Sequence, residues 1–470
     1  MRRMICACFL SVILIGGQAV GAGRPNVLFI AVDDLNDWIS ALGGHPQSRT
    51  PNIDKLVARG MLFTDAHCAA PLCNASRASL LTGIRPSTSG VYQNNQPWRD
   101  SPVLKDAVTL PQHFMQNGYA ALGSGKIYHG AYPDPPSWQE YWPSQKTNKP
   151  ADPKPDHINQ NGLKRAHFDW APLDVEDSAM GDHQVVDWVG DVLKTRKFDK
   201  PFFLGCGLYR PHLPWYVPRP YFEAHPLGQV KLPVVIDDDL ADVPAMGRKF
   251  AKPQGDHAIV VKHDQWAAGV QGYLASISFT DAQVGRLMEA FDASGHADDT
   301  IIVLWSDHGW HLGEKEHWRK FTLWERSTRV VFAIVAPGVT KPGSRCDQPV
   351  NLLDIYPTLI DLCGLAARSE LEGVSLRPLL ENPQADWNRP SVTTFGQNNH
   401  AARDKRWRYI RYADGSEELY DHDTDPNEWT NLADQSKYDS VKRRLASSLP
   451  TINAAPSTNE RKKKRKSNKE

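Results

Sequence analysis

The segment Cys73-Asn-Ala-Ser-Arg-Ala-Ser-Leu-Leu-Thr-Gly83 sets a thiol and a guanidinium one helical turn apart, just ahead of a helical run. A helix start, with its dipole and unpaired amides, favours an anionic group, and Arg77 can reach back to the same spot. Two readings fit: a nucleophilic thiol of lowered pKa, or a buried structural cysteine. A second pattern is acidic. Asp33 and Asp34 follow the apolar run Asn26–Val32, and Ser306-Asp307-His308-Gly309 follows Thr300–Trp305. Carboxylates offer oxygen ligands and compensating charge, so two such clusters that converge suit a hard cation, calcium or magnesium. A lone Asp-Asp pair would equally cap a helix or turn.

Convergence requires elements that end at one place. Asn26–Val32, Ala120–Leu122, Phe202–Leu208, Thr300–Trp305 and Val330–Val335 read as strands, and Pro51–Arg59 and Leu352–Leu362 as helices. Trp266, Val270, Tyr273, Leu274, Ile277, Val284, Leu287, Met288 and Phe291 recur at helical spacing. Alternating strands and helices predict an α/β fold with a large, mostly parallel sheet sandwiched by helices. Such sheets place their sites at the carboxyl ends of strands, where both acidic clusters fall.

On Cys73, Ala75, Ser76, Arg77, Thr82 and Gly83 the chain resembles the type I sulfatases of the alkaline-phosphatase superfamily, whose signature is Cys-x-Pro-Ser-Arg followed by a short helix and Thr-Gly. Ala75 departs from the commoner proline. The resemblance runs from Asn26 to about Leu432. It implies that Cys73 is oxidised by a formylglycine-generating maturation enzyme, and that one hydroxyl of the hydrated aldehyde attacks sulfur. It further implies calcium held by Asp33, Asp34, Asp307 and His308 together with residue 73. Gly125-Lys-Ile-Tyr-His129, Arg210-Pro-His-Leu-Pro214 and Trp318-Arg-Lys320, with the Asp307-His308 pair, are similar to the iduronate sulfatase subgroup. They imply Lys126, His129, His212 and Lys320 around the sulfate, with His129 as base and His212 or Lys320 as proton donor. The resemblance also implies a smaller C-terminal α+β subdomain, which gives a catalytic domain at 24–380 and the subdomain at 381–450; residue composition reads as a signal peptide at 1–23 and a basic disordered tail at 451–470.

Arg403, beside Trp407 and Tyr409, is expected to reach the pocket and hold a carboxylate or second sulfate. The aromatic stretch Tyr128–Trp142 either stacks on sugars or packs a loop. The expected substrate is therefore a sulfated carbohydrate. A phosphomonoester, phosphodiester or phosphonate hydrolase of the same superfamily and a non-catalytic glycan-binding relative are the alternatives.

The 470 residues are 41% apolar and 23% charged, ordinary for a globular protein and too apolar for a disordered one. Lys+Arg and Asp+Glu balance at 54 each, which argues against a nucleic-acid partner. The balance is a cancellation. Arg2 and Arg3 precede a short apolar run that reads as an export signal, and residues 460–470 carry seven basic and two acidic side chains. That leaves about −7 on the body. No segment is long enough for a stable membrane span, so a secreted or periplasmic location is expected. Five cysteines remain after the signal, and the odd count implies one thiol that is free or chemically used.

Overall fold

The computed structural model describes residues 23–165 and 167–458; the expected signal peptide, all but Gly23, and the basic run 461–466 lie outside them. Eight strands form the main sheet: β1 (Asn26–Val32), β2 (Met61–Phe63), β3 (Ala120–Gly125), β4 (Glu140–Trp142), β5 (Phe202–Leu208), β6 (Thr300–Ser306), β7 (Phe332–Val335) and β8 (Ser344–Cys346). Their order is β8-β2-β7-β6-β1-β5-β3-β4. β7 alone runs antiparallel to its neighbours, β6 and β2. β1, β5 and β6 are buried along their whole length, as a sheet covered on both faces demands.

The helices that matter to the site are α1 (Pro51–Val57), α2 (Cys73–Thr82), α3 (Gly181–Thr195), α4 (Ala245–Ala251), α5 (Trp266–Asp292) and α6 (Ile355–Leu362). One apolar layer packs α2 and α6 on the sheet through Phe29, Phe63, Leu80 and Leu359. The opposite layer packs α3 and α5 through Ile30, Val189, Ile277 and Leu287. Every residue of α2 is buried, and Gly83 closes it at φ 72°, in the left-handed region glycine favours. Four antiparallel strands, β9 (Ser391–Thr394), β10 (His400–Arg403), β11 (Trp407–Arg411) and β12 (Glu417–Asp421), form the C-terminal sheet, backed by α7 (Asp439–Ala446).

Three expectations change. Cys73, Cys68, Cys206, Cys346 and Cys363 are all free and buried, so the odd count singles none of them out. Residues 453–457 are not a loose tail: the Ala454 and Ser457 amides donate to the carbonyls of Ser87 and Gly90, both at 2.8 Å. Within Tyr128–Trp142, Tyr128 stacks on Trp98, and Tyr128 and Trp138 are buried. The faces of these two rings are spent on the core, while Tyr132 stays part-exposed with its ring centroid 6.0 Å from that of His129.

Candidate active site

Register brings the acidic clusters together. Val32 lies opposite Ser306 in the parallel β1–β6 pair, so Asp33 and Asp34 leave the sheet beside Asp307 and His308. Asp34 takes a left-handed φ of 60°, uncommon away from glycine. Its amide donates to Asp307 Oδ1 at 3.1 Å, and its carbonyl accepts from the Tyr273 hydroxyl on α5 at 2.7 Å. Lys126 follows Gly125, whose φ is +78°; a Cβ there would lie 1.9 Å from the Gly207 carbonyl oxygen. A side chain at Gly207 would meet the Lys126 backbone at 2.4 Å. Two glycines thus let β3 and β5 close up and carry the Lys126 ammonium onto the Asp33 carboxylate.

Cys73 is the first residue of α2 rather than the residue ahead of it. Its Sγ lies 3.0 Å from Lys320 Nζ, 3.4 Å from His308 Nε2 and 3.8 Å from Asp34 Oδ1. Lys320 also holds Asp34 Oδ1 at 2.6 Å. One turn on, Arg77 donates from Nε to Asp307 Oδ2 at 2.8 Å and from Nη2 to Asp33 Oδ1 at 3.1 Å. Its Nη1 is taken by the carbonyls of Lys126 and Ile127. Arg77 therefore fixes the two carboxylates rather than facing an open anion site. Ser76 adds a 2.6 Å bond to the Asp307 carbonyl.

The group suits a cation. One ligand atom each from Asp33, Asp34, Cys73, Asp307 and His308 lie within 4.8 Å of one another. Asp34 Oδ2 is buried with no hydrogen-bond partner. His308 Nδ1 sits 3.0 Å from the Gly309 carbonyl; a carbonyl only accepts, so Nδ1 carries the proton. Nε2 then faces Asp34 Oδ1 at 3.2 Å and Asp307 Oδ1 at 3.5 Å, and their charge favours the protonated ring until a cation takes the place of that proton. Carboxylate oxygens gathered around one imidazole nitrogen ask for positive charge between them, a proton or a metal ion.

The electrostatics agree. Burial pushes the Cys73 thiol up, but Lys126, Lys320 and His308 outweigh it and hold the thiol well below its ordinary range. Burial would raise Asp33 too, yet Lys126 and, more weakly, His212 and Arg77 draw it below the usual carboxylate range. For Asp307 burial prevails over Arg77 and His308, and its pKa is raised to about 6. Burial alone would lower Lys126 and Lys320; Asp33 and Asp34 respectively, each with Cys73, override it and keep both ammoniums charged. Burial lowers His129, whose Nδ1 is buried and unpaired. His212 Nε2 lies 3.8 Å from Asp34 Oδ2, and like His129 it remains partly exposed.

The structure thus brings Cys73, Arg77, Lys126, His129, His212, Lys320, Asp33, Asp34, Asp307 and His308 together. It does not bring Arg403 there. That side chain is buried on β10, its guanidinium 3.7 Å from Asp65, 3.6 Å from Glu325 and 3.3 Å from His422. Asp65 and Glu325 from distant parts of the chain, with His422 from the end of β12, draw it inward. Tyr273 and Ser76, which pin the loops carrying Asp34 and Asp307, had no assigned role from the sequence. Tyr273 lay in an apolar helical stripe that gives no sign of what its hydroxyl meets.

Residues 25–365 match the family model described as Sulfatase, and residues 313–455 that described as N-sulphoglucosamine sulphohydrolase, C-terminal. A sulfatase of Formosa agariphila is 40% identical over 92% of this chain and 87% of its own. Human iduronate 2-sulfatase is 31% identical over 72% of this chain and 69% of its own. A solved structure in complex with its substrate D-glucosamine-2-N,6-O-disulfate shares the fold, with a TM-score of 0.72 at 21% identity over 95% of this chain and 99% of that one. The phosphonate monoester hydrolase of Silicibacter pomeroyi shares it as well, with a TM-score of 0.72 at 22% identity over 90% and 94%. With its nucleophile segment and acidic strand ends in one buried cluster, the chain belongs to the sulfatase family and is a sulfuric ester hydrolase.

Proposed function

We propose that the chain hydrolyses sulfate esters of carbohydrates, using formylglycine made from Cys73 and a calcium ion held by Asp33, Asp34, Asp307 and His308. The observation that carries this reading is the position of Cys73, in reach of Lys320, His308 and Asp34 at once. When present, the aldehyde hydrate supplies a nucleophile with a second hydroxyl, and the ion a Lewis acid. The chain's own residues supply the rest. Three carboxylates (Asp33, Asp34, Asp307) face three cations (Arg77, Lys126, Lys320), so a bound dication makes the cluster positive, as a sulfate ester anion requires.

Lys126 and Lys320 hold positive charge beside residue 73, where sulfuryl oxygens gather negative charge. Lys320 is committed to Asp34 and Cys73, so the partly exposed His212 is the better donor to the departing alcohol. His129, with Nδ1 unpaired, takes the proton from residue 73 that lets sulfate depart. Human iduronate 2-sulfatase and the disulfate-bound structure support a glycan substrate, one whose leaving group is a sugar hydroxyl. The basic, apolar and small-residue order of 1–23 supports export, and the division at 24–380 and 381–450 follows the two sheets.

Paired kcat/KM values on matched sulfate and phosphate esters of one sugar test the reaction. A strong sulfate preference is expected; a phosphate preference would move the chain to the phosphonate-hydrolase side of the fold.

A further inference from the structure

A cavity of about 540 Å³, a size ordinary for a small-molecule site, is lined by residues next to Lys320 in the chain, though not by Lys320 itself. Arg319 and Phe321, the residues on either side of Lys320, both line it. Phe321 and Phe395 also pack on Ala70, Leu72 and Ala75, the residues that surround Cys73 in the chain. An aromatic wall continues outward, with Phe321 and Phe395 ring centroids 6.2 Å apart and Phe395 and Phe250 4.8 Å apart. The cavity and the apolar group around Cys73 thus share Phe321 and Phe395.

Its charge departs from that of the body. Arg165, Lys249, Lys252 and Arg319 line it against a single carboxylate, Asp256, in a body that carries about −7 overall. Arg319 Nε binds Asp256 at 2.6 Å, and Arg165 stands 3.9 Å from the same group. Lys249 and Lys252 are exposed, and among the described residues neither has an acidic partner. Arg319 and Phe321 adopt left-handed backbone (φ 76° and 81°), a conformation that side chains of this size rarely take and that gathers at ligand clamps, while the left-handed Lys252 ends α4.

We infer that this cavity is a second anion subsite, which holds the carboxylate or sulfate of the sugar adjoining the one being desulfated. This rests on the glycan reading above and deepens it, because the preferred substrate becomes an oligosaccharide with charge on two neighbouring rings. The aromatic wall receives the less polar faces of the sugar. Lys249 and Lys252 make the charge-assisted contacts.

The test is calorimetric binding of a sulfated, uronate-containing tetrasaccharide prepared from heparin to the full chain and to its K249A/K252A variant. Both lysines are exposed, so the variant is expected to melt like the parent. Affinity for the tetrasaccharide should fall about tenfold, and its salt dependence should weaken. Sulfate release from a singly sulfated hexuronate should be unchanged. Equal affinity of the two proteins, an equal loss of activity on the monosaccharide, or no binding by the parent would each overturn the subsite. Should sulfate release fail in the parent while tetrasaccharide binding still needs both lysines, the function reading falls and the subsite stands.

Discussion

Two buried charge clusters lie in this molecule, and they differ in what they leave open. At the strand ends, three carboxylates, His308 and Cys73 meet Arg77, Lys126 and Lys320, with Asp34 Oδ2 unpaired. At the junction with the C-terminal sheet, Asp65, Glu325 and Glu428 meet His67, His422, Arg403 and Arg408. Both groupings place carboxylate and imidazole atoms at distances a metal would accept. In the second, however, Arg408 grips Glu325 and also reaches Glu428 at 2.6 Å, while His67 binds Asp65 at 2.8 Å and His422 binds Glu428 at 3.0 Å. Arginine forks fill the carboxylates there. In the first cluster Arg77 takes one oxygen each of Asp33 and Asp307, while Lys126 and Lys320 are point charges, and Asp34 Oδ2 is left open. Ligand distance alone does not make a metal site; the identity of the cations around it decides.

The contrast can be broken most sharply at Cys73. Cys73→Ala should lower turnover by about 10⁴-fold or more, with the melting curve little changed, since only one sulfur is lost. Lys320→Ala should follow, with a loss of about 10²–10³-fold in kcat and calcium content retained; a parallel loss of calcium would reassign Lys320 to metal binding. The second cluster should respond the other way. Arg408→Ala strands Glu325 and Glu428 and should cost about 3–5 kcal/mol of stability, read by denaturant melts, while calcium content and the kcat of the folded enzyme hold.

Metal removal sharpens the comparison. Calcium at a hundred times its dissociation constant should stabilise the chain by about 2.7 kcal/mol, and Asp34→Asn should abolish that response while Arg408→Ala keeps it. A smaller effect separates acid sensitivity from both clusters. Burial on β10 lowers His400 to about 4, below its ordinary 6.5. The unfolded state then binds more protons between those values, so stability is present above pH 6.5 and is lost as pH falls towards 4. The slope is at most about 1.4 kcal/mol per pH unit, and stability curves of His400→Asn should lack it.

Much of this arrangement is legible in the sequence. β1, β5 and β6 are seven residues each and apolar but for Asn26, Thr300 and Ser306, so the strands and the acids that follow β1 and β6 stand out. β2, β4 and β8 are three residues each and give no periodic signal. α2 is buried on every face, so its motif reveals it where amphipathicity cannot. Arg403 shows the limit. Next to Trp407 and Tyr409 in a basic stretch it reads as a ligand-facing arginine, but Asp65 and Glu325 arrive from far along the chain and claim it. Spacing carries information about partners within a turn or a strand, and little about partners brought by the fold.

The central claim is that residue 73 acts as an aldehyde, and peptide mass spectrometry of the Cys73 segment, read against specific activity, tests it most directly. Across preparations of differing maturation, sulfate release should rise in proportion to the fraction of residue 73 found as formylglycine and vanish where only thiol is present. Full activity in a preparation holding only unmodified Cys73 would contradict it.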